Sequence, residues 1–237
     1  ENIDFKNDGT APTANATTSN ITSLLFEDFE SGTLGVFTQY SVASNKDWIN
    51  GEYGGNKFAT ANGYGGDAPS DDWLISPSLD LDAYIDEIFS FETAKFFSDV
   101  IEGLEILISE DYSGSGDPSA ANWDMLAAAL SPGDDTWTLS GEIDLSGFSG
   151  SSVFIAFHYN STGTVAGEAA RWKVDNIIIT GEAGGSPDPE PSNYPTDFAA
   201  TTDGLAINLA WTDATGTQLP DKYIVFAGIN SGLPFPV

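Results

Sequence analysis

Asp71-Asp72-Trp73-Leu74-Ile75-Ser76-Pro77 is the stretch on which the fold turns. Read alone, it is a short strand stopped by a proline, which cannot donate to a sheet ladder. Two other stretches belong with it. Phe26-Glu27-Asp28-Phe29-Glu30-Ser31-Gly32 lies upstream, and Arg171-Trp172-Lys173-Val174-Asp175-Asn176-Ile177 lies far downstream. Between and around them, residues 23–181 read as many short strands divided by Gly, Asp and Ser turns. That pattern predicts an all-β sandwich or barrel.

Several of these strands are legible one by one. Leu24-Leu25-Phe26 opens the series, and residues 88–94 form another strand. In Leu104-Glu105-Ile106-Leu107-Ile108, alternation puts residues 104, 106 and 108 on one face. Val153 to Tyr159 is apolar on both faces, as a central strand requires. Residues 177–180 close the domain. The one helical candidate is Trp123-Asp124-Met125-Leu126-Ala127-Ala128-Ala129-Leu130, because alanine favours helix; a strand followed by a turn competes there.

Domain boundaries follow from composition. Residues 1–22 are rich in Thr, Asn and Ala without apolar periodicity, and read as a linker or the end of a preceding domain. Residues 182–193 contain Pro187-Asp188-Pro189-Glu190-Pro191, an extended, semi-rigid linker. From 194 a second β pattern begins. Leu205 to Trp211 alternates and ends in Trp, and Lys222-Tyr223-Ile224-Val225-Phe226 follows. This resembles the opening half of a fibronectin type III-like sandwich. Such a sandwich needs about 100 residues, so residues 194–237 are expected to be part of one, within a longer polypeptide.

The 237 residues are 41% hydrophobic and 12% aromatic, which marks a globular chain. No apolar run approaches membrane-spanning length. The chain opens at Glu1 without a basic segment followed by an apolar one, so a signal peptide is expected to be absent or already removed. Seven basic residues against 36 acidic ones give a net charge of -29. Such a polyanion repels nucleic acid and anionic membrane. The carboxylates suit either a salt-tolerant extracellular surface or calcium, a hard cation that prefers oxygen ligands. With no cysteine, neither a disulfide nor a thiolate metal site can form.

The three stretches, in this order and spacing, resemble the cleaved-adhesin or choice-of-anchor J family of Bacteroidetes surface proteins, over residues 24–181. That family resembles MAM-type and carbohydrate-binding jelly rolls, and consists of binding and adhesion modules. The resemblance implies a jelly-roll β-sandwich, followed here by the linker and the partial fibronectin type III-like β-sandwich. It implies a secreted or cell-surface protein, exported by the type nine route. It also implies one structural calcium, held by Glu30 and Asp175 with Asp28 as a further candidate. Carbonyls of a loop at Gly51-Glu52-Tyr53-Gly54-Gly55-Asn56-Lys57 would complete that site, because glycine lets carbonyls converge.

The residues themselves bear on these implications. Strand alternation would put Asp28 and Glu30 on one face and Glu27 on the other. The alternative reading of that cluster is a solvated edge strand guarded by charge. Asp175 sits among apolar residues, where a carboxylate is costly unless paired or bound to metal. Asp111, Ser113, Ser115 and Asp117 imitate the front of a calcium loop. Asn122 stands where an EF-hand needs glutamate, so an ordinary loop is expected. Among Trp48, Tyr53, Tyr64, Trp73, Trp123, Trp137 and Trp172, core packing is expected for Trp73 and Trp172. Trp48 and Tyr64 lie in Gly/Asn/Asp-rich loops and are the ligand candidates, with loop-pinning as the competing role.

Catalysis finds little support. His158 sits between Phe157 and Tyr159 in a central strand, where a structural histidine is expected. No nucleophile elbow, zinc-protease motif or phosphate-binding glycine loop occurs. The expected function is a non-catalytic adhesion or carbohydrate-binding module whose partner is a glycan or a host or cell-surface protein. Two alternatives are an accessory or spacer domain of a larger extracellular hydrolase and a structural brick of a surface layer or filament. Other domains of the same polypeptide complete the partner set.

Overall fold

The structure is a computed structural model that describes residues 21–183, 196–203, 206–213 and 215. Among the described residues, twelve strands precede the linker: β1 (Ile21–Glu27), β2 (Thr38–Ala43), β3 (Ile49–Tyr53), β4 (Asn56–Asn62), β5 (Asp71–Ile75), β6 (Tyr84–Phe96), β7 (Leu104–Ser109), β8 (Asp124–Met125), β9 (Thr138–Leu139), β10 (Ile143–Asp144), β11 (Phe154–Asn160) and β12 (Arg171–Ala183).

They form two antiparallel sheets. The first runs β10-β6-β12-β4-β3, with β1 also on β12 and β9 also on β6. The second runs β2-β5-β11-β7-β8. Strands β4, β12, β6 and β9/β10 of one sheet thus interleave in sequence with β5, β11, β7 and β8 of the other. That interleaving is the jelly-roll topology, which buries one face of each sheet against the other. The strand that opened the sequence reading is β5. It lies between β2 and β11, and Trp73 stands opposite both Tyr40 and His158.

Alternation divides each strand between two environments. Leu104, Ile106 and Ile108 point into the inter-sheet core, as expected, beside Phe89, Phe91, Phe157 and Trp172. The opposite faces of β5, β7 and β11 carry a second buried cluster: Trp73, Ile75, Leu107, Phe154 and Ala156, roofed by Tyr112 with Trp123 packed against it. A central strand buried on both sides explains why residues 153–159 are apolar throughout.

Four local expectations need revision or refinement. Residues 123–130 contain no helix: β8 pairs with β7, Leu126 N–H donates to the Ile106 carbonyl and Ala129 N–H to Ser140. Lateral hydrogen bonds and burial of Leu126 outweigh the alanine propensity. The 51–57 segment is not an open loop but the β3–β4 hairpin. Its two-residue turn, Gly54-Gly55, has φ of +66° and +92°, the geometry that only glycine adopts freely. Strand alternation also stops at Glu27. Phe29 takes φ +53° and buries its ring completely, so Asp28 and Glu30 lie on a turn. The strand β13 (Thr196–Asp203) pairs with β14 (Ala206–Thr212) in an antiparallel hairpin. The rest of the fibronectin-like expectation, including the 222–226 strand, lies outside the described residues, as do both linkers for most of their length.

Candidate functional site

Two regions of the sandwich gather the chemistry. The first is where β12 changes partners. Along one edge β12 pairs with β4 through Val174, then with β1 from Ile177 onward. The two residues at the changeover, Asp175 and Asn176, form a bulge in which Asn176 takes φ +49°. Asp175 is 3% exposed. It accepts from Asn56 Nδ2 at 2.9 Å and from the Asn176 N–H at 2.8 Å. Asn176 Nδ2 in turn donates to Glu92 Oε2 at 2.7 Å. These groups line a pocket of about 310 Å³ together with Trp137.

Burial pushes the Asp175 carboxyl up, its hydrogen bonds to Asn56 and Asn176 pull the other way, and the charges of Glu92 and Glu30 push it up further. The structure therefore brings Glu30 and Asp175 within electrostatic reach. Glu30 accepts the Lys57 N–H at 2.9 Å, and its own carbonyl accepts from Lys57 Nζ at 2.8 Å. Asp28 uses one oxygen on the Glu30 N–H at 3.1 Å, inside the turn. Sequence reasoning missed Glu92, and it brought Asn56 here only through the carbonyls of its segment, whereas its side-chain amide makes the contact. Glu92 was legible in part, since alternation from Phe89 and Phe91 places it on the outer face. Among the described residues, no three His, Asp or Glu side chains converge closely enough to hold a metal by themselves. The 109–118 loop is the ordinary loop expected: Asn122 occupies Asp111, and Asp117 caps a short 3-10 turn.

The second region is one end of the sandwich, where the β4–β5, β6–β7, β8–β9 and β11–β12 connections meet. Hydrogen bonds brace these loops against one another. The Thr162 N–H and Oγ1–H donate to Asp99 at 2.9 and 2.6 Å, and Gly65 N–H donates to the Thr164 carbonyl at 2.8 Å. Tyr64 (58% exposed), Phe97 (59%) and Val100 (85%) project from this frame. Phe97 adopts φ +65°, a conformation that costs a bulky residue about 1–2 kcal/mol. Its ring packs on Phe96 at 4.5 Å, and the Arg171 guanidinium lies 5.3 and 5.5 Å from the two ring centres. An open cavity of about 370 Å³ lies between Lys95–Asp99 and Pro132–Asp134.

The two ligand candidates separate here. Tyr64 stands exposed on the loop end. Trp48 does not: it is fully buried, and its Nε1–H donates to the Asp72 carbonyl at 3.1 Å. The indole belongs to the inter-sheet core, so it pins its loop and offers no surface to a ligand. His158 is held on the outer face of β11. Both ring nitrogens meet carboxylates, Glu105 at 3.0 Å and Asp71 at 2.8 Å, and the ring stacks on Trp73 at 3.9 Å. Sequence inspection anticipated a structural role but neither carboxylate.

The fold and its sites define an antiparallel jelly-roll module with a braced, apolar loop end. No family profile matches the chain, and no curated protein matches it in sequence. Among solved structures, two cleaved adhesin domains of Lys-gingipain from Porphyromonas gingivalis are similar to it. One has TM-score 0.46 and 18% identity, covering 69% of this chain and 99% of that domain. The other has TM-score 0.45 and 15% identity, covering 67% and 98%. A carbohydrate-binding module in complex with β-1,4-galactotriose has TM-score 0.44 and 15% identity, covering 68% and 99%. No helix among the described residues is long and apolar enough to cross a membrane.

Proposed function

We propose that residues 23–181 form a non-catalytic adhesion or carbohydrate-binding module of a larger secreted or cell-surface protein. The loop end carries the contact surface, and a glycan or a cell-surface protein is the partner. One observation carries this reading: Phe97 is both exposed and held at positive φ. The Phe96 and Arg171 contacts hold the ring in place, and backbone strain of this kind clusters at functional surfaces. Tyr64 and Phe97 offer flat apolar faces for sugar rings, and Asp99, Thr162 and Arg171 offer polar groups beside them.

The same proposal includes one structural calcium at the β12 changeover, held by Glu30 and Asp175, with Asp28 as a further ligand. Buried Asp175 and its neighbour Glu92 have the neutral side-chain amides of Asn56 and Asn176 against them, and Glu30, whose carbonyl holds the Lys57 ammonium, adds a third negative charge nearby. Hard oxygens in an anionic pocket fit calcium chemistry. Such an ion would tie the turn after β1 to β12.

The test is retention on a glycan array of wild type, Tyr64→Ala and Phe97→Gly. The glycine variant removes the ring and relieves the backbone at the cost of the Phe96 and Arg171 contacts, so its melting midpoint is measured beside wild type to separate lost binding from lost folding. Loss of retention in both variants is expected. If wild type binds no glycan and no cell-surface protein, the spacer reading of a larger extracellular hydrolase takes its place.

A further inference from the structure

Asp72 is the least explained polar group of the sandwich. It lies on β5, opposite Ser41 of β2 and Tyr159 of β11, and shares their inward face. It is 0% exposed, and both carboxylate oxygens lack a hydrogen-bond partner. The Ser41 and Ser70 hydroxyls come close enough to favour its charged form, yet neither reaches it in good hydrogen-bond geometry, and each has another partner. Ser41 donates to the Ala43 carbonyl at 3.1 Å, Ser70 shares a 3.2 Å contact with Ser44, and Tyr159 donates to the Ala170 carbonyl at 2.6 Å.

A second carboxylate adjoins it. Asp47 precedes buried Trp48, whose Nε1–H bonds to the backbone of Asp72. Asp47 keeps one oxygen on the Trp48 N–H at 2.8 Å. Burial chiefly pushes the Asp72 carboxyl up, to about 6; the Ser41 and Ser70 hydroxyls pull it down, and the charges of Asp47 and Asp71 push it up. Burial pushes Asp47 up as well. A carboxylate buried this completely, with a second carboxylate near it, is costly to ionise unless a cation pairs with it.

We propose that Asp72 and Asp47 hold a divalent cation of the calcium class between β5 and the 43–48 loop, with the Ser41 and Ser70 hydroxyls and loop carbonyls as further oxygens. Two carboxylates completed by hydroxyl and carbonyl oxygens make an ordinary calcium shell. The site is separate from the β12 changeover, shares no residue with it, and stands whether or not that one binds metal. It would fasten the loop that carries Trp48 to the central strands.

The experiment uses the full chain carrying Glu30→Ala and Asp175→Ala, so that the other proposed site plays no part. The protein is freed of metal with chelator and titrated with calcium alone. Bound ions are counted by native mass spectrometry, and the melting midpoint is followed. One bound calcium and a raised midpoint are expected, because a ligand of the native state stabilises it by mass action. Adding Asp72→Asn, which keeps the shape of the side chain, should weaken calcium binding by 100-fold or more, on the order of 3 kcal/mol. Asp47→Asn, on the loop, gives the same answer if the β5 variant fails to fold. No calcium bound in the starting protein, or equal binding in the Asn variants, overturns the proposal and leaves Asp72 as a buried acid that folds protonated.

Discussion

Gly35→Ala is the sharpest test of how the turn after β1 is built. The Glu27 carboxylate, 8% exposed, accepts the Phe29 N–H at 2.9 Å and the Val36 N–H at 3.1 Å. It thereby holds Phe29 in its left-handed, fully buried position. Gly35 sits over that carboxylate at φ +59°, and an added Cβ would lie 1.6 Å from Glu27 Oε2. The carboxylate would have to leave. Two hydrogen bonds to a charged group, worth about 1.5–3 kcal/mol each before rehydration, would be lost or weakened. The left-handed backbone adds about 1–2 kcal/mol for a residue with a Cβ. We expect a loss of about 4 kcal/mol in denaturant unfolding. For a domain of this size that lowers the melting midpoint by about 8–16 °C. A double-mutant cycle isolates the cause. In a Glu27→Ala background, Gly35→Ala should cost only the backbone share, about 1–2 kcal/mol. An equal cost in both backgrounds would refute the reasoning.

Other outcomes follow from the same geometry. Trp48→Ala should cost about 3–5 kcal/mol of stability, whereas Tyr64→Ala should change it by less than about 0.5 kcal/mol, as thermal melts of the two variants will reveal. Chelation should lower the wild-type melting midpoint, and Glu30→Ala with Asp175→Ala should remove the part of that drop due to the β12 changeover; an unchanged drop would place the metal elsewhere. Burial draws Asp99 up, and the bonds from Thr162 together with the Ile101 and Val100 N–H groups outweigh it, so its carboxyl lies below the usual 3.8. A depressed carboxylate stabilises the fold above its unfolded value and loses that contribution as pH falls through the lower folded value. Hydrogen exchange at the Thr162 amide should therefore speed up in Asp99→Asn at pH 7 but match wild type once pH is well below 3.8. A difference that persists there would contradict the assignment.

Much of the sandwich was legible because burial imposes period-two alternation on each strand. Leu104, Ile106 and Ile108 announced their shared face, and the doubly apolar 153–159 segment announced a central strand. Where local chemistry competed with alternation, reading failed. Nothing in Phe26-Glu27-Asp28-Phe29 marks the point at which Phe29 turns left-handed, since a carboxylate bonding both the nearby Phe29 N–H and the Val36 N–H nine residues on decides it. The alanine run at 127–129 carried a helical propensity that lateral pairing to β7 and Ser140 overrode. Trp48 looked like a loop residue because its neighbours are polar, and only the closing of two sheets over it makes it core.

The sequence by itself determined the class of fold and the acidic character of the chain. These are properties of periodicity and composition, and each residue contributes to them independently of distant ones. The tertiary structure alone decided which carboxylates meet. Asp175 faces Glu92, Asn56 and Glu30, and Asp72 lies beside Asp47, only because strand pairing and crossover place them so. The physical reason is that a carboxylate's cost or use depends on what surrounds it in space, and the jelly roll draws those surroundings from strands far apart in the chain.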